Sequence, residues 1–289
     1  MTNIFLDPQR RLRNGWKCLA FFAGAAVCFA TVGMSSRLLP HAIKVYLPNA
    51  LLVLLASLLL SWVAVRLEGA RLTDIGWRLD GHFLRQSLGG MFAGAALLLA
   101  TALMVLMADG FHWTIASTPP TLAVEAKAML VFLGGAVFEE LVMRGYAFQR
   151  AVRGVGATWS VVIFGVIFCA LHLPGNLEYS PTLLTVAMLD IFAASVMLSL
   201  CYLRTGSLAL PIGLHFGWNL TQESLGFGVS GIPTHGWLTP VFHQQPDWLT
   251  GGAFGLEASA LSLVAEVAAI VWLWRRPTPS MYGVRQQLA

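Results

Sequence analysis

The chain has 289 residues, of which 57% are hydrophobic and 11% charged, with a net charge of +4. Soluble domains carry about 25% charged residues, so this composition, with a mean hydropathy of +0.70, excludes an ordinary soluble domain and describes an integral membrane protein. The basic residues are scattered between apolar runs, which excludes a nucleic-acid-binding surface and leaves them to set membrane topology.

A helix needs about 20 largely apolar residues to span a bilayer. The first 17 residues are basic and precede an apolar run from Leu19 to Met34. Because Ser35, Ser36 and Arg37 follow and more apolar segments come later, this run reads as an uncleaved first span rather than a signal peptide. Helices are predicted at 16–36, 46–66, 84–108, 125–152, 158–173, 181–203, 207–226 and 256–274. The expected fold class is therefore all-α: a polytopic membrane protein of about eight transmembrane helices. Glu68 to His82 forms a polar cytoplasmic connector. Gly228 to Gly255 is a long loop rich in Gly, Pro and Trp, placed at the outer interface where Trp237 and Trp248 suit the headgroup layer. Cys18, Cys28, Cys169 and Cys201 fall inside apolar segments without C-x-x-C spacing and read as small core residues.

With the N-terminus inside, the cytoplasmic segments hold Arg10, Arg11, Arg13, Lys17, Arg66, Arg71, Arg78, Arg85, Arg150, Arg153, Arg204, Arg275, Arg276 and Arg285, fourteen of the 18 basic residues. Arg37 and Lys44 are outside, Lys127 lies near an outer helix start, and Arg144 is intramembrane. That asymmetry predicts a multi-pass protein of the inner (cytoplasmic) membrane with both termini cytoplasmic and membrane lipid around it. The chain divides into a three-helix region with its connector (1–124), a core (125–226), and the outer loop with the last helix (227–289).

The core holds charges that a bilayer does not tolerate without partners. An ionised side chain at the centre of a spanning helix costs about 2.5–3.5 kcal/mol on insertion scales, and Glu139, Glu140 and Arg144 share one segment. Residues four apart lie on one helix face, so Glu140 pairs with Arg144. Glu139, about 100° away, has no cation on its own face and is left as a candidate general base. If 125–152 is one helix, Glu139 lies 14 residues before Arg153, and His172 lies 14 residues after Thr158. Both would sit about 21 Å from the inner helix ends at 1.5 Å per residue. His215 and Asn219, one turn apart, enter from a third helix, so the four residues would converge on an intramembrane cavity. This set reads as hydrolytic machinery: Glu139, helped by His172, deprotonates a water, while His215 and Asn219 donate to the oxyanion. Alternatively, Glu139, His172 and His215 form a catalytic zinc set. No H-E-x-x-H motif supports the metal, so the favoured expectation is that no cofactor is required.

Three motifs, E-E-x-x-x-R (Glu139, Glu140, Arg144), F-x-x-x-H (Phe168, His172) and H-x-x-x-N (His215, Asn219), occur in order in three different predicted spans. Together with Thr205-Gly206-Ser207-Leu208, they resemble the CPBP family of intramembrane proteases, the CAAX-processing and bacteriocin-processing (Abi) proteins. The resemblance covers about 125–222. It implies a membrane-embedded endopeptidase acting on membrane-associated peptides or lipid-modified, CAAX-like proteins. It also implies roles: Glu139 the base, His172 its partner, His215 and Asn219 the oxyanion site, Glu140 and Arg144 a structural pair. Family members are described both as metalloproteases and as glutamate-dependent enzymes.

Each residue also has a plainer reading. The Glu139, Glu140 and Arg144 set could be a structural ion network, either histidine a satisfied helix-end residue, and Asn219 interhelical glue. Phe168 reads as packing behind His172. Asp190 either pairs with Arg144 or lines the cavity. Glu223 sits at an outer helix end, and Glu266 is mid-helix with no partner legible. The rival function is a non-enzymatic membrane protein: a proton-coupled transporter using Glu139, Glu140 and Asp190 as a relay, or a pseudoprotease scaffold. Transport lacks support from an inverted repeat or matched broken helices.

Overall fold

The structure, a computed structural model, describes residues 4–38 and 49–275. The predicted start of the second span at 46–48 and the topology residues Lys44, Arg276 and Arg285 lie outside them. In chain order the elements are α1 (Asn14–Leu38), α2 (Asn49–Arg66), a 3-10 turn (Leu72–Ile75), α3 (Gly81–Met107), β1 (Phe111–Ile115), α4 (Leu122–Arg144) and α5 (Tyr146–Val155). They continue with α6 (Ala157–His172), α7 (Pro181–Thr205), α8 (Ala209–Ser224), β2 (Leu238–Phe242), α9 (Asp247–Thr250) and α10 (Ala260–Arg275). The protein is an all-α polytopic membrane protein; among the described residues it has one short two-stranded antiparallel sheet, in which Phe111 pairs with Phe242 and Ile115 with Leu238.

Helix starts follow side-chain chemistry. Asp80 accepts from the backbone N–H of Phe83 at 2.8 Å, Thr121 caps α4, and Ser180 caps α7 ahead of Pro181 at its first turn. Among the described residues four helices are long and apolar enough to cross a membrane: Asn14–Ser35, Asn49–Arg66, Gly81–Met107 and Pro181–Thr205. The 23-residue α4 has the length but carries Glu139, Glu140 and Arg144, and α6 is apolar but only 16 residues long. Leu55, Leu59, Leu99, Leu103 and Val166 are exposed along the helices, a surface that lipid covers.

Two helices approach unusually closely. Gly90 and Gly94 of α3 face Gly213 and Gly217 of α8. A Cβ at Gly94 would lie 2.1 Å from the Leu214 carbonyl oxygen, and one at Gly217 would lie 2.0 Å from that of Met91. Both helices thus carry the G-x-x-x-G spacing that lets backbones pack face to face in lipid. This contact fixes α8, the helix of His215 and Asn219. Gly217→Leu is expected to lower stability by about 1–3 kcal/mol or more, as overpacking does. A melting-temperature drop in detergent, with loss of any activity, checks it.

The predicted 125–152 helix is two helices. Gly145 breaks it with φ −75° and ψ −125°, and a Cβ there would lie 2.2 Å from the Leu141 carbonyl oxygen. Just past the break the Tyr146 hydroxyl donates to Glu68 Oε1 at 2.6 Å. Glu68 also pairs with Lys17 at 2.9 Å and with Arg150 at 3.0 Å. One carboxylate therefore ties α1, the connector and α5 together. Glu139 lies seven residues before Tyr146, about 10 Å along the axis, so it sits nearer the connector than one unbroken helix would put it.

Burial works against the Glu68 charge, but Tyr146, Lys17 and Arg150 outweigh it and hold the carboxyl below its ordinary value of 4.5. A lowered folded pKa means that the stabilisation is complete above that ordinary value and is lost as pH falls through the lowered one. Glu68→Leu is expected to cost about 1.5–3 kcal/mol at neutral pH and to flatten the acid limb of the melting-temperature profile.

Candidate active site

The site is built on the last turn of α4. Glu140 and Arg144 are both fully buried, with Arg144 Nη1 at 3.0 Å from Glu140 Oε1. Arg144 Nη2 donates to Ser195 Oγ at 2.8 Å and to the Ser195 carbonyl at 3.1 Å, both on α7. Its Cζ lies 5.0 Å from the Phe168 ring centroid, and that ring is 4.5 Å from the His172 ring. Phe168 thus packs between the buried guanidinium and the histidine, a cation–π arrangement on one face. Asp190 is not a partner of Arg144; it lines the cavity described below.

The same Glu140 oxygen faces His215 Nδ1 at 3.0 Å. A carboxylate only accepts, so the Nδ1–H donates and the ring is fixed with Nε2 turned away from Glu140. Nε2 lies 3.8 Å from Glu139 Oε2. Arg144, Glu140, His215 and Glu139 therefore form one continuous chain. The Glu139 side chain is 31% exposed while Glu140 is at 0%, so the two adjacent glutamates differ in access as well as in partner.

The turn before α8 aims His215. Gly206 is left-handed at φ 61°, Thr205 Oγ1 accepts from the Ser207 N–H at 3.2 Å, and Ser207 Oγ accepts from the Ala209 N–H at 3.2 Å in the turn that leads into the helix. The Leu208 N–H donates to the Gly76 carbonyl at 3.1 Å, which docks this turn on the connector. The Thr205–Leu208 stretch is a helix-start device, not a site.

His172 closes α6. Its Nδ1–H donates to the Phe168 carbonyl at 2.8 Å, and its own carbonyl accepts from Asn176 Nδ2 at 2.8 Å. His172, His215 and Asn219 line one cavity of about 50 Å³. The structure brings Glu139 to His215; among the described residues no hydrogen bond or ion pair joins Glu139 directly to His172, the partner expected from depth. The equal-depth argument assumed a continuous helix, and the break at Gly145 removes its premise. A larger cavity, about 1840 Å³, lies around Lys17, Glu68 and Arg150, away from this chemistry.

The zinc set does not assemble. Among the described residues no three His, Cys, Asp or Glu side chains converge as metal ligands. The Nδ1 bonds of His215 and His172 leave Nε2 of each ring as the only ligating atom, but Glu139, His172 and His215 do not converge on one centre. No step is routed through a metal here.

Sequence reasoning missed Ser195, the second anchor of Arg144, which carries no motif, and the glycine pairs, whose spacing was available. It also missed that Glu257 and Glu266, from the segment after 226, reach the cavity wall beside His172.

Residues 121–221 match the family model described as type II CAAX prenyl endopeptidase Rce1-like. The resemblance carried by the three motifs is borne out over that segment, about a third of the chain, as a likeness to a family of membrane proteases. No curated protein matches the chain.

Proposed function

We propose that the protein is an intramembrane endopeptidase that hydrolyses peptide bonds of membrane-associated or lipid-modified, CAAX-like peptides using a water activated by Glu139. The observation that carries this reading is the chain Arg144–Glu140–His215–Glu139. It has the form of a base, its neighbour and an orienting group, with the last member the most exposed. Glu139 takes the proton of the attacking water and returns it to the departing amine. Glu140 holds the His215 ring through Nδ1, so Nε2 stands at the reacting centre. His215, as an imidazolium with Nδ1–H on Glu140 and Nε2–H toward the reacting centre, and Asn219, one turn further along α8, are the donors for the oxyanion, with His172 on the same cavity. Arg144 neutralises Glu140 and takes no part in proton transfer. We further propose residues 125–226 as the catalytic core, and an inner-membrane location with cytoplasmic termini, which the distribution of arginines supports.

The test uses purified protein in detergent with a quenched peptide library and a prenylated CAAX peptide. Cleavage by wild type and its loss in Glu139→Ala and His172→Ala support the reading. No cleavage by wild type, together with pH-gradient-driven uptake in vesicles, would falsify it in favour of a transporter. Activity is expected to survive strong chelation at an unchanged rate, with no stoichiometric metal by elemental analysis. Loss on chelation restored by zinc would instead move Glu139, His172 and His215 into ligand roles.

A further inference from the structure

The cavity that His172, His215 and Asn219 share has a second wall. Asp190 of α7 and Glu266 of α10 line it, at 1% and 2% exposure. The two carboxyls are close enough to interact electrostatically. Neither belongs to the E-E-x-x-x-R, F-x-x-x-H or H-x-x-x-N motifs, and Glu266 lies outside the matched segment.

Their hydrogen-bonding state distinguishes them from their neighbour. Glu257, on the same wall, accepts from Gln222 Nε2 at 3.0 Å and from the Ser230 N–H. Asp190 Oδ1 and Glu266 Oε2 are fully buried, and among the described residues neither atom is within direct hydrogen-bonding geometry of a partner, although the Ser262 hydroxyl of α10, itself unsatisfied, faces Asp190. Buried polar atoms in proteins are almost always satisfied by protein or by water. A polar cavity needs at least about 10–15 Å³ of such space to hold a water, given two to four polar partners. The 50 Å³ here therefore has room for a small cluster, and Asp190, Glu266, His172, His215 and Asn219 supply the partners.

We infer that Asp190 and Glu266 hold a buried water cluster that supplies the hydrolytic water to Glu139 past His215. The inference rests on the protease reading above. Each turnover consumes one water: its OH joins the carbonyl carbon, its proton goes through Glu139 to the departing nitrogen, and the C–N bond breaks. In an apolar surround that water has to come from a stored site or from the outside with each cycle. His215 stands between the cavity and Glu139, bordering one and lying 3.8 Å from the other. Asp190 and Glu266 are positioning residues: they act through the water and touch no substrate.

The experiment reads hydration and turnover separately on the full chain in detergent. In radiolytic hydroxyl-radical footprinting, bound water labels the side chains beside it. Met197 lines the cavity and is 2% exposed, so its labelling requires internal water; Met107, 71% exposed, is the control. Met197 is expected to be labelled in wild type and to lose most of that label in Asp190→Leu/Glu266→Met. In that variant kcat is expected to fall about tenfold with KM within about twofold, whereas Asp190→Asn and Glu266→Gln, which still hydrogen-bond, stay within about threefold of wild type. Should the double variant not elute as a folded monodisperse species, Asp190→Leu alone takes its place. An unlabelled Met197 beside a labelled Met107 in wild type overturns the water site, as does a dry variant with wild-type kcat. A labelled Met197 in a wild type that cleaves no peptide leaves the water site standing and sinks its role in hydrolysis along with the protease reading.

Discussion

Glu139→Gln is expected to lower kcat/KM for peptide hydrolysis by about 10²–10⁴-fold, the range that a positioned general base contributes, with the melting temperature within about 2 °C of wild type. The activity loss follows from chemistry: a carboxamide of the same shape fills the place beside His215 but accepts no proton. The unchanged stability follows from geometry. Glu139 is partly exposed, and its contact with His215 Nε2, at 3.8 Å, is longer than a hydrogen bond, so little folding energy rests on it. The measurement is steady-state kinetics on one quenched peptide, with melting in the same detergent. A variant within threefold of wild type would move the base elsewhere in the site.

The two glutamates illustrate what local spacing reveals. The pairing of Glu140 with Arg144 was legible because an i, i+4 relation is fixed by the helix itself. The partner of Glu139 was not, because it depends on how three helices meet. The inference that put His172 opposite Glu139 counted residues through 125–152 as one rod. A single glycine is tolerated inside spanning helices, so Gly145 gave no warning. In the structure Tyr146 and Arg150, past the break, meet Glu68, and it is His215 that approaches Glu139.

Other features divide in the same way. G-x-x-x-G at Gly90 and Gly94, and again at Gly213 and Gly217, could have been read directly as a close helix contact. That Asp190 and Glu266 share a cavity wall could not, since 76 residues separate them in the chain and no periodicity links α7 to α10. The strand pair escaped notice because its strands are far apart in the chain and Pro240, opposite Trp113, removes a donor and makes the second strand read as loop. Ser195 is one small residue in a long apolar helix, with nothing in the sequence to say that its hydroxyl and carbonyl hold Arg144.

Glu140→Ala is expected to cost about 3–5 kcal/mol of stability, the cost of removing one partner of a buried ion pair, and to abolish turnover in whatever protein still folds. Arg144 would keep its two bonds to Ser195 but carry an uncompensated charge at 0% exposure, and His215 would lose the acceptor that orients it. These two consequences separate. In Glu140→Leu/Arg144→Met the buried charges are gone and apolar side chains replace them. Such replacements are often neutral or stabilising, so the melting temperature is expected to return toward wild type. Activity is expected to stay absent, because the Nδ1–H of His215 no longer has a carboxylate to point at. Melting and kinetics on the single and double variants in one detergent check both statements. Recovery of turnover in the double variant would make Glu140 a purely structural partner of Arg144, whereas stability without turnover makes it the residue that holds His215 against Glu139.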